Sequence, residues 1–403
     1  MNSRLDLLQP YPFEKLAGLL DGVHPPAGLS PIRWSIGEPA HAPPAFVLET
    51  IKNSLPDLGL YPLTKGLPEL SEAIAAWLTR RFSLKESEID PSRCILPVSG
   101  TREALFSIAQ AVIDSQAGSA ILMPNPFYQI YEGAALIAGA RTIFYNLTEE
   151  NHFEPDFAAI EPAVWEDVRM LYVCSPSNPT GHCLSMTAWK DILDLSQKYD
   201  FIIASDECYS ELYRDEENPP VGLLQAASAL GVAGFKNCLV FHSLSKRSNL
   251  PGMRSGFVAG DPEILSRYWL YRTYHGCTMS VPYQKASIAA WQDEEHVKEN
   301  RRLYRLKFEA VIKELEPELD SHLANLRHPD GSFYLWAKCP GSDEEFAREL
   351  YRQENLLVLP GSYLSRIDNG SNPGAGYLRM ALVAPVEQCA EGARRLHRFL
   401  KNS

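Results

Sequence analysis

The middle of the chain alternates short apolar runs with amphipathic segments, and this alternation limits the fold more than any other feature. Runs that are apolar along their whole length are typical of strands buried in a parallel sheet. Helix-like segments separate them, which indicates βαβ units. We therefore predict an α/β fold with a large domain whose mostly parallel sheet is covered by helices on both faces. The predicted strands are CILPV (94–98), SAILM (119–123), VRMLYVCS (168–175), FIIASD (201–206), CLVFHS (238–243) and RSGFVAG (254–260).

The pattern changes after about residue 290. A long amphipathic segment over 296–315 predicts a helix, and a last helix is predicted over 386–400. We interpret this part as a smaller α+β domain. The predicted division is a large domain over 46–290 and a small domain formed by 1–45 and 291–403. Its three short strands are predicted in GSFYLWAK (331–338), NLLVLPG (355–361) and GYLRMALV (376–383).

Charge and cysteine usage exclude several classes of protein. Lysine and arginine number 38 against 50 acidic residues, a net charge of -12, which argues against nucleic acid as a partner but allows a small anionic substrate. The eight cysteines form no C-x-x-C pair, so we expect no metal site. The N-terminus has no apolar signal core, and no run reaches the roughly 18 apolar residues of a membrane helix. We expect a cytoplasmic protein without a membrane partner.

Polar and aromatic side chains follow five of the predicted strands. Ligands of parallel sheets bind at the carboxyl ends of the strands, so these groups are candidates for one site. Taken singly, each has an ordinary explanation: a helix start, a turn, a core aromatic or a surface lysine. Together they offer an anion-binding helix start, an aromatic ring that can stack on a ligand, an amide, a carboxylate and an amine. In chain order, the groups are Ser99-Gly100-Thr101-Arg102, Phe127 and Tyr128, Asn178, Asp206 and Tyr209, and Ser243, Ser245 and Lys246, with Arg254 beyond.

This set is complementary to pyridoxal phosphate. Lys246 supplies the amine for the aldehyde, and Asp206 supplies a carboxylate that keeps the pyridine nitrogen protonated. A helix start and an arginine suit the phosphate. Asn178 and Tyr209 can donate to the ring oxygen, and Tyr128 can cover the ring face.

Four motifs extend the argument to a known family. SNPTG, SDECY and SLSK, with an arginine eight residues after the lysine, together resemble the fold-type I aminotransferases of the aspartate aminotransferase-like class, and the resemblance covers nearly the whole chain. It implies that Lys246 makes a Schiff base with the cofactor and acts as the proton shuttle. It implies that Asp206 pairs with the ring nitrogen, and that Asn178 and Tyr209 bind the ring oxygen. The implied phosphate-binding groups are Gly100, Thr101, Ser243, Ser245 and Arg254, and Arg102 is a further candidate for cofactor binding.

The same resemblance assigns residues outside these strand ends. Tyr61 is similar to a tyrosine that reaches the phosphate of the neighbouring subunit, which implies a homodimer with shared active sites. Arg379 resembles the arginine that binds the substrate α-carboxylate, a group that a planar guanidinium fits. Gly37, together with Asn178, is implied to line that carboxylate site. Two positions depart from the family pattern: Arg102, at the third position of the phosphate loop, and Leu364, where an aromatic residue often stands.

The N-terminal segment LDLLQPYPFEKLAGLLDGV (5–23) resembles that of proteobacterial succinyldiaminopimelate aminotransferases. The resemblance implies transfer of an amino group between N-succinyl-LL-2,6-diaminopimelate and 2-oxoglutarate, in the synthesis of lysine and peptidoglycan precursors. An amphipathic segment that merely packs over the site explains the spacing equally well. The long anionic substrate requires a second cation besides Arg379. The candidates are Arg33, Lys65, Arg102, Arg272 and Lys285.

Two other enzymatic functions remain as alternatives, and two non-enzymatic functions are disfavoured. An aminotransferase for aspartate, alanine or another amino acid shares the same core residues, and so does a pyridoxal-phosphate-dependent lyase that cleaves a C–S bond. A transcription regulator of this fold requires an added helix-turn-helix domain, for which the chain and its charge give no indication. A protein that only binds a ligand, without catalysis, is disfavoured because binding alone does not require Lys246.

Overall fold

A computed structural model of the chain describes residues 1–115, 118–276, 278–316, 323 and 326–402; Cys277 lies outside these ranges. The strands are β1 Ile32–Arg33, β2 Ile95–Val98, β3 Ala120–Asn125, β4 Arg141–Asn146, β5 Val168–Cys174, β6 Ile202–Asp206, β7 Cys238–Ser243, β8 Gly256–Gly260, β9 Tyr334–Lys338, β10 Leu356–Leu357, β11 Leu359–Pro360 and β12 Tyr377–Ala381. The helices are α1 Pro12–Leu19, α2 Ala45–Asn53, α3 Pro68–Phe82, α4 Thr101–Val112, α5 Ile130–Ala138, α6 Pro162–Asp167, α7 Met186–Tyr199, α8 Leu223–Ala229, α9 Leu244–Arg247, α10 Pro262–His275, α11 Val281–Gln292, α12 Glu295–Leu315, α13 Asp343–Glu354 and α14 Val386–Asn402.

The largest sheet has seven strands in the order β2-β8-β7-β6-β5-β3-β4. Only β8 runs antiparallel to its neighbours among these strands, and the remaining pairs are parallel. Apolar side chains fill both faces of the central strands, because helices cover the sheet on both sides. The predicted α/β fold is confirmed. The carboxyl ends of β2, β3, β5, β6 and β7 therefore lie along one edge.

Strand β4 forms one edge of this sheet and was not predicted from the sequence. Its residues RTIFYN are partly exposed, so the segment lacks the continuous apolar run that marks the central strands. The helix predicted from residue 127 begins only at Ile130.

The C-terminal part holds a three-stranded antiparallel sheet in the order β11-β12-β9. Helices α12 and α14 pack against each other beside it. The segment 355–361, predicted as one strand, forms two short ones: β10 pairs with β1 and β11 pairs with β12. The pairing of β1 with β10 ties the N-terminal segment to this part of the chain. The division into domains at residues 46 and 290 stays a prediction.

Helix ends near the site have identifiable caps. The Ser185 hydroxyl accepts a hydrogen bond from the amide of Ala188 and begins α7, and Asp261 caps α10 in the same way. Gly100 precedes α4 with φ of 88°, a conformation that favours glycine.

Within the described ranges, no helix is long and apolar enough to cross a bilayer. The same residues contain no cluster of three or more potential metal ligands.

Candidate active site

A cavity of about 470 Å³ opens at the carboxyl ends of the five parallel strands. The structure brings together in its lining twelve of the residues singled out from the sequence. Gly100 lies just beneath the lining, at the start of α4, and Tyr61 lies outside the cavity. The twelve residues are Gly37, Thr101, Arg102, Tyr128, Asn178, Asp206, Tyr209, Ser243, Ser245, Lys246, Arg254 and Arg379.

Lys246 lies in α9, a single helical turn directly after β7. The Ser243 hydroxyl accepts a hydrogen bond from the amide of Ser245 at 3.1 Å and begins this turn. The Lys246 Nζ donates to the carbonyl oxygen of Gly37 at 2.5 Å and lies 5.1 Å from the centre of the Phe333 ring. Burial lowers the Lys246 pKa from 10.5 to about 8. The neutral fraction of this amine near physiological pH is therefore far larger than that of an ordinary lysine, which favours a role as proton acceptor or nucleophile.

We expect this lowered pKa to be visible in amine reactivity. Only a neutral amine is acetylated, so the reactivity of Lys246 should rise through a midpoint near pH 8 in the apoprotein. Competitive labelling with acetic anhydride, read by mass spectrometry, measures this midpoint. Lys190 is the matched control, because it is exposed and the carboxylate of Asp194 raises its pKa. Equal midpoints for the two lysines would contradict the assignment.

Asp206 ends β6 and lies on the floor of the cavity. Its Oδ2 accepts a hydrogen bond from the Tyr131 hydroxyl at 2.8 Å, and its Oδ1 accepts one from the Cys208 amide at 3.3 Å. Burial raises the Asp206 pKa, and these two donors oppose that rise. The Cys208 thiol lies 2.9 Å from the Thr101 hydroxyl, so it packs between the cavity floor and α4.

The start of α4 forms the anion-binding end of the cavity. A Cβ atom at Gly100 would collide with the guanidinium of Arg254, so the glycine permits the arginine to lie against the helix start. Arg254 itself has φ of 53° and donates from Nη1 to the carbonyl oxygen of Pro251 at 2.8 Å. The hydroxyls of Ser243 and Ser245 are 2.9 Å apart beside it. Free amides, hydroxyls and a guanidinium suit a phosphate.

Arg379 lies in β12 and reaches the opposite side of the cavity. It is buried, and it donates to Asn178 Oδ1 at 3.1 Å and to the carbonyl oxygen of Ser35 at 2.9 Å. Its guanidinium lies 4.5 Å from the centre of the Tyr334 ring. The Tyr334 hydroxyl is 3.0 Å from that of Tyr209. A Cβ at Gly37 would collide with the same Tyr334 hydroxyl, which explains the glycine there.

Arg102 lines the exposed end of the cavity. Its Nε donates to the Tyr128 hydroxyl at 2.8 Å and its Nη2 to the Tyr11 hydroxyl at 3.3 Å. Both partners are neutral phenols. Among the described residues, no carboxylate forms an ion pair with Arg102.

The other four candidates for a second substrate-binding cation do not line the cavity in the described part of the single chain. Arg272 is buried and pairs with Glu103 at 2.9 Å. Lys285 pairs with Asp57 at 2.8 Å. The remaining two are Lys65, whose Nζ lies 4.6 Å from the centre of the Trp269 ring, and Arg33, exposed on β1.

Phe127 is also corrected by the structure. It was a candidate for stacking on a ring, but it is fully buried and stacks on Phe144 at 5.5 Å. Tyr61 is fully exposed, with Leu60 and Leu63 beside it. Its predicted role concerns a neighbouring subunit and stays a prediction.

Several aromatic residues of the site were not predicted, among them Tyr11, Tyr131 and Tyr334. Tyr11 lines the cavity through the N-terminal segment, Tyr334 lines it from β9, and Tyr131 holds Asp206. Tyr131 follows Tyr128 by three residues, the spacing that places two side chains near one another at a helix start. That spacing was a usable signal for Tyr131. No local pattern marks Tyr11 or Tyr334, because distant parts of the chain bring them to the cavity.

A profile of the family "Aminotransferase class I and II" matches residues 30–396. The chain belongs to the class I and II aminotransferases. The enzymes of this family depend on pyridoxal phosphate, and the donor set of the cavity fits that cofactor: phosphate-binding groups at the α4 end, a carboxylate on the floor and an amine between them.

Solved aminotransferases share the whole fold. An aminotransferase from Neisseria meningitidis is 48% identical with a TM-score of 0.93, and the match covers 99% of this chain and all of that one. Aminotransferase AspB from Helicobacter pylori is 36% identical with a TM-score of 0.88, covering 98% and 100% of the two chains. Among curated proteins, the LL-diaminopimelate aminotransferase of Nitratidesulfovibrio vulgaris is 30% identical over 98% of this chain and 97% of its own length.

Proposed function

We propose that this aminotransferase acts on a long amino acid with an anionic far end, and that N-succinyl-LL-2,6-diaminopimelate, with 2-oxoglutarate as the partner oxo-acid, is its substrate. One observation carries the proposal. Arg379 lies deep in the cavity and Arg102 lies at its exposed end, so two cations face one substrate-sized space. Each suits a carboxylate. A "probable N-succinyldiaminopimelate aminotransferase" from Thermus thermophilus, 25% identical with a TM-score of 0.84, has the same fold.

A second candidate substrate is LL-diaminopimelate itself, and the name of the curated relatives favours it. The two compounds differ at the far end, where the unsuccinylated one carries an ammonium group. Among the described residues that line the cavity, Asp206 is the one carboxylate, and it lies on the floor. The far-end ammonium would therefore have no acid in the cavity to bind it, whereas Arg102 could bind the far-end carboxylate that both compounds carry. This charge pattern favours the succinylated compound.

Each side chain of the site has a distinct role in the proposed reaction. Pyridoxal phosphate, when bound, withdraws the electrons left at the substrate Cα after proton loss. Lys246 binds the cofactor and then carries the Cα proton, since burial raises the neutral fraction of its amine. Asp206 stabilises a proton on the cofactor ring nitrogen. Arg379 orients the substrate carboxylate so that the Cα–H bond faces Lys246, and Asn178 fixes the Arg379 guanidinium from below.

The remaining groups hold the cofactor in this proposal. Tyr209 donates to the ring oxygen, and Tyr128 covers the ring face. The groups at the α4 end bind the phosphate, namely Gly100, Thr101, Ser243, Ser245 and Arg254.

The experiment that tests the substrate is a panel of half-reactions. The loaded enzyme is mixed with N-succinyl-LL-2,6-diaminopimelate, LL-diaminopimelate, glutamate, aspartate or alanine, and loss of its visible absorbance is followed. We expect the succinylated compound and glutamate to react fastest. Faster reaction with LL-diaminopimelate would show that this compound, rather than the succinylated one, is the substrate. Release of pyruvate or ammonia would instead indicate a lyase.

The same panel tests the role of Arg102. We expect Arg102→Gln to lower kcat/KM for the succinylated substrate by roughly 10- to 100-fold, the loss of one charge-assisted contact, and to leave alanine nearly unchanged. The matched control is Arg93→Gln, an exposed arginine that does not line this cavity. An equal loss with alanine would show that Arg102 serves the cofactor rather than the far end of the substrate.

We further propose that the enzyme is a homodimer, with Tyr61 reaching the phosphate site of the partner. The support is an exposed apolar segment around this tyrosine. Leu58, Leu60, Tyr61 and Leu63 are each more than half exposed in the single chain. Monomeric proteins rarely expose so many neighbouring apolar side chains. Sedimentation of the loaded enzyme measures the assembly.

A further inference from the structure

The Tyr131 hydroxyl forms a buried hydrogen bond with Asp206. It is the second residue of α5, it is fully buried, and its hydroxyl donates to Asp206 Oδ2 at 2.8 Å. Its ring stacks on that of Tyr172, with centroids 4.6 Å apart and planes 14° from parallel. Tyr172 is fixed in turn, because its hydroxyl donates to the carbonyl oxygen of Leu105 at 2.5 Å. The donor to Asp206 is therefore held in one orientation by a stacked, hydrogen-bonded neighbour.

We propose that Tyr131 is a positioning residue that keeps the cofactor ring nitrogen protonated by acting through Asp206. This inference rests on the proposed role of Asp206 at that nitrogen. A hydrogen bond to the charged form of a carboxylate makes it a weaker base. The proton shared between Asp206 and the ring nitrogen then stays on the nitrogen. The bond also occupies Oδ2 while the Cys208 amide occupies Oδ1, which fixes the carboxylate plane.

The Cys208 side chain is a second hydrogen-bond donor to Asp206 and also lowers its pKa, so Tyr131 is one of two side-chain donors. Tyr131 comes from α5, whereas the thiol of Cys174 in β5 is directed to the Pro176 carbonyl oxygen at 3.5 Å. The thiol of Cys208 is shared with the Thr101 hydroxyl. The titratable groups that face Asp206 from the packed elements are Tyr128 before α5, Tyr131 of α5, Tyr172 and Cys174 of β5, Glu207 and Cys208 after β6, and His242 of β7.

His242 and Glu207 do not donate to Asp206 in place of this bond. His242 Nε2 lies 3.3 Å from Glu207 Oε2 without a hydrogen bond, and its Nδ1 lies 3.3 Å from the Ser210 hydroxyl. Glu207 accepts from the Leu223 amide and from the Ser205 hydroxyl. Both side chains therefore face their own neighbours.

The test is the pH dependence of the visible absorption band of the loaded enzyme. The position of this band depends on whether the nitrogen that joins Lys246 to the cofactor is protonated. A neutral cofactor ring withdraws less electron density from that nitrogen, so the nitrogen holds its proton up to a higher pH. We expect Tyr131→Phe to raise the midpoint of the band by about one pH unit, the effect of losing one hydrogen bond to a buried carboxylate. Turnover should fall about tenfold with it. Tyr131→His retains a ring donor and should give a midpoint between those of the wild type and the phenylalanine variant.

Tyr268→Phe is the matched control. It removes a buried hydroxyl that lies 2.7 Å from the Ser107 hydroxyl and does not contact Asp206, so its midpoint should equal that of the wild type. The shift caused by Tyr131→Phe should also vanish in an Asp206→Asn background, because the two changes act through one group. An unshifted midpoint in Tyr131→Phe, beside a clear shift in Asp206→Asn, would overturn the role of Tyr131 alone. No shift in Asp206→Asn would instead remove the proposed role of Asp206.

Discussion

Lys246→Ala is expected to reduce turnover by at least about 10⁴-fold and to abolish the visible absorbance of the lysine-bound cofactor. The variant loses two functions at once: the covalent link to the cofactor and the amine that carries the Cα proton. General acid–base catalysis alone accounts for about 10²–10⁴-fold in enzymes. No neighbouring amine can take over, because Lys246 is the one lysine among the described residues that line the cavity. Stopped-flow absorbance and steady-state kinetics measure the two losses.

Lys190→Ala serves as the control for this change. Lys190 is an exposed lysine on α7 that pairs with Asp194, and its removal should leave both the band and the turnover intact. A visible band and full turnover in Lys246→Ala would disprove the assignment of the lysine.

Arg379→Ala is expected to lower kcat/KM by about 10²–10³-fold for every amino acid and oxo-acid, while the visible band remains. Two parallel charge-assisted hydrogen bonds to the substrate carboxylate are lost, each of them strong in a buried site. The Asn178 amide oxygen also loses its donor. Arg379→Lys should recover little of the activity, since an ammonium cannot form the bidentate contact.

Comparison with Arg102→Gln distinguishes the roles of Arg379 and Arg102 in substrate binding. The substitution of Arg379 should affect short and long substrates alike, whereas that of Arg102 should affect only long ones. Unchanged kinetics in Arg379→Ala would show that another group binds the α-carboxylate.

The fold and the centre of the site could be predicted because their signals are local. An apolar run marks a central strand, and the residues that follow a parallel strand lie at a known edge. Lys246, Asp206 and Asn178 were found in this way. The edge strand β4 was missed because one side of it has no neighbour, which leaves its side chains partly exposed.

The rim of the cavity could not be predicted for a different reason. Arg102 and Tyr11 are 91 positions apart and meet only when the N-terminal segment lies over α4. A sequence lists cations without showing which are neutralised, so Arg272 and Lys285 ranked equally with Arg102. The structure separates them by their partners Glu103 and Asp57.

Arg247, the residue directly after the reactive lysine, had no role assigned from the sequence. It is buried between the rings of Trp77 and Trp291, at 5.6 and 4.8 Å, and pairs with Glu294 at 2.6 Å. One side chain of this dipeptide thus enters the cavity while the next is anchored in the protein interior. For enzyme engineering, grafting the SLSK loop onto another scaffold would transfer the reactive amine without its anchor. A working graft would have to include the two tryptophans and the acidic residue that hold its neighbour.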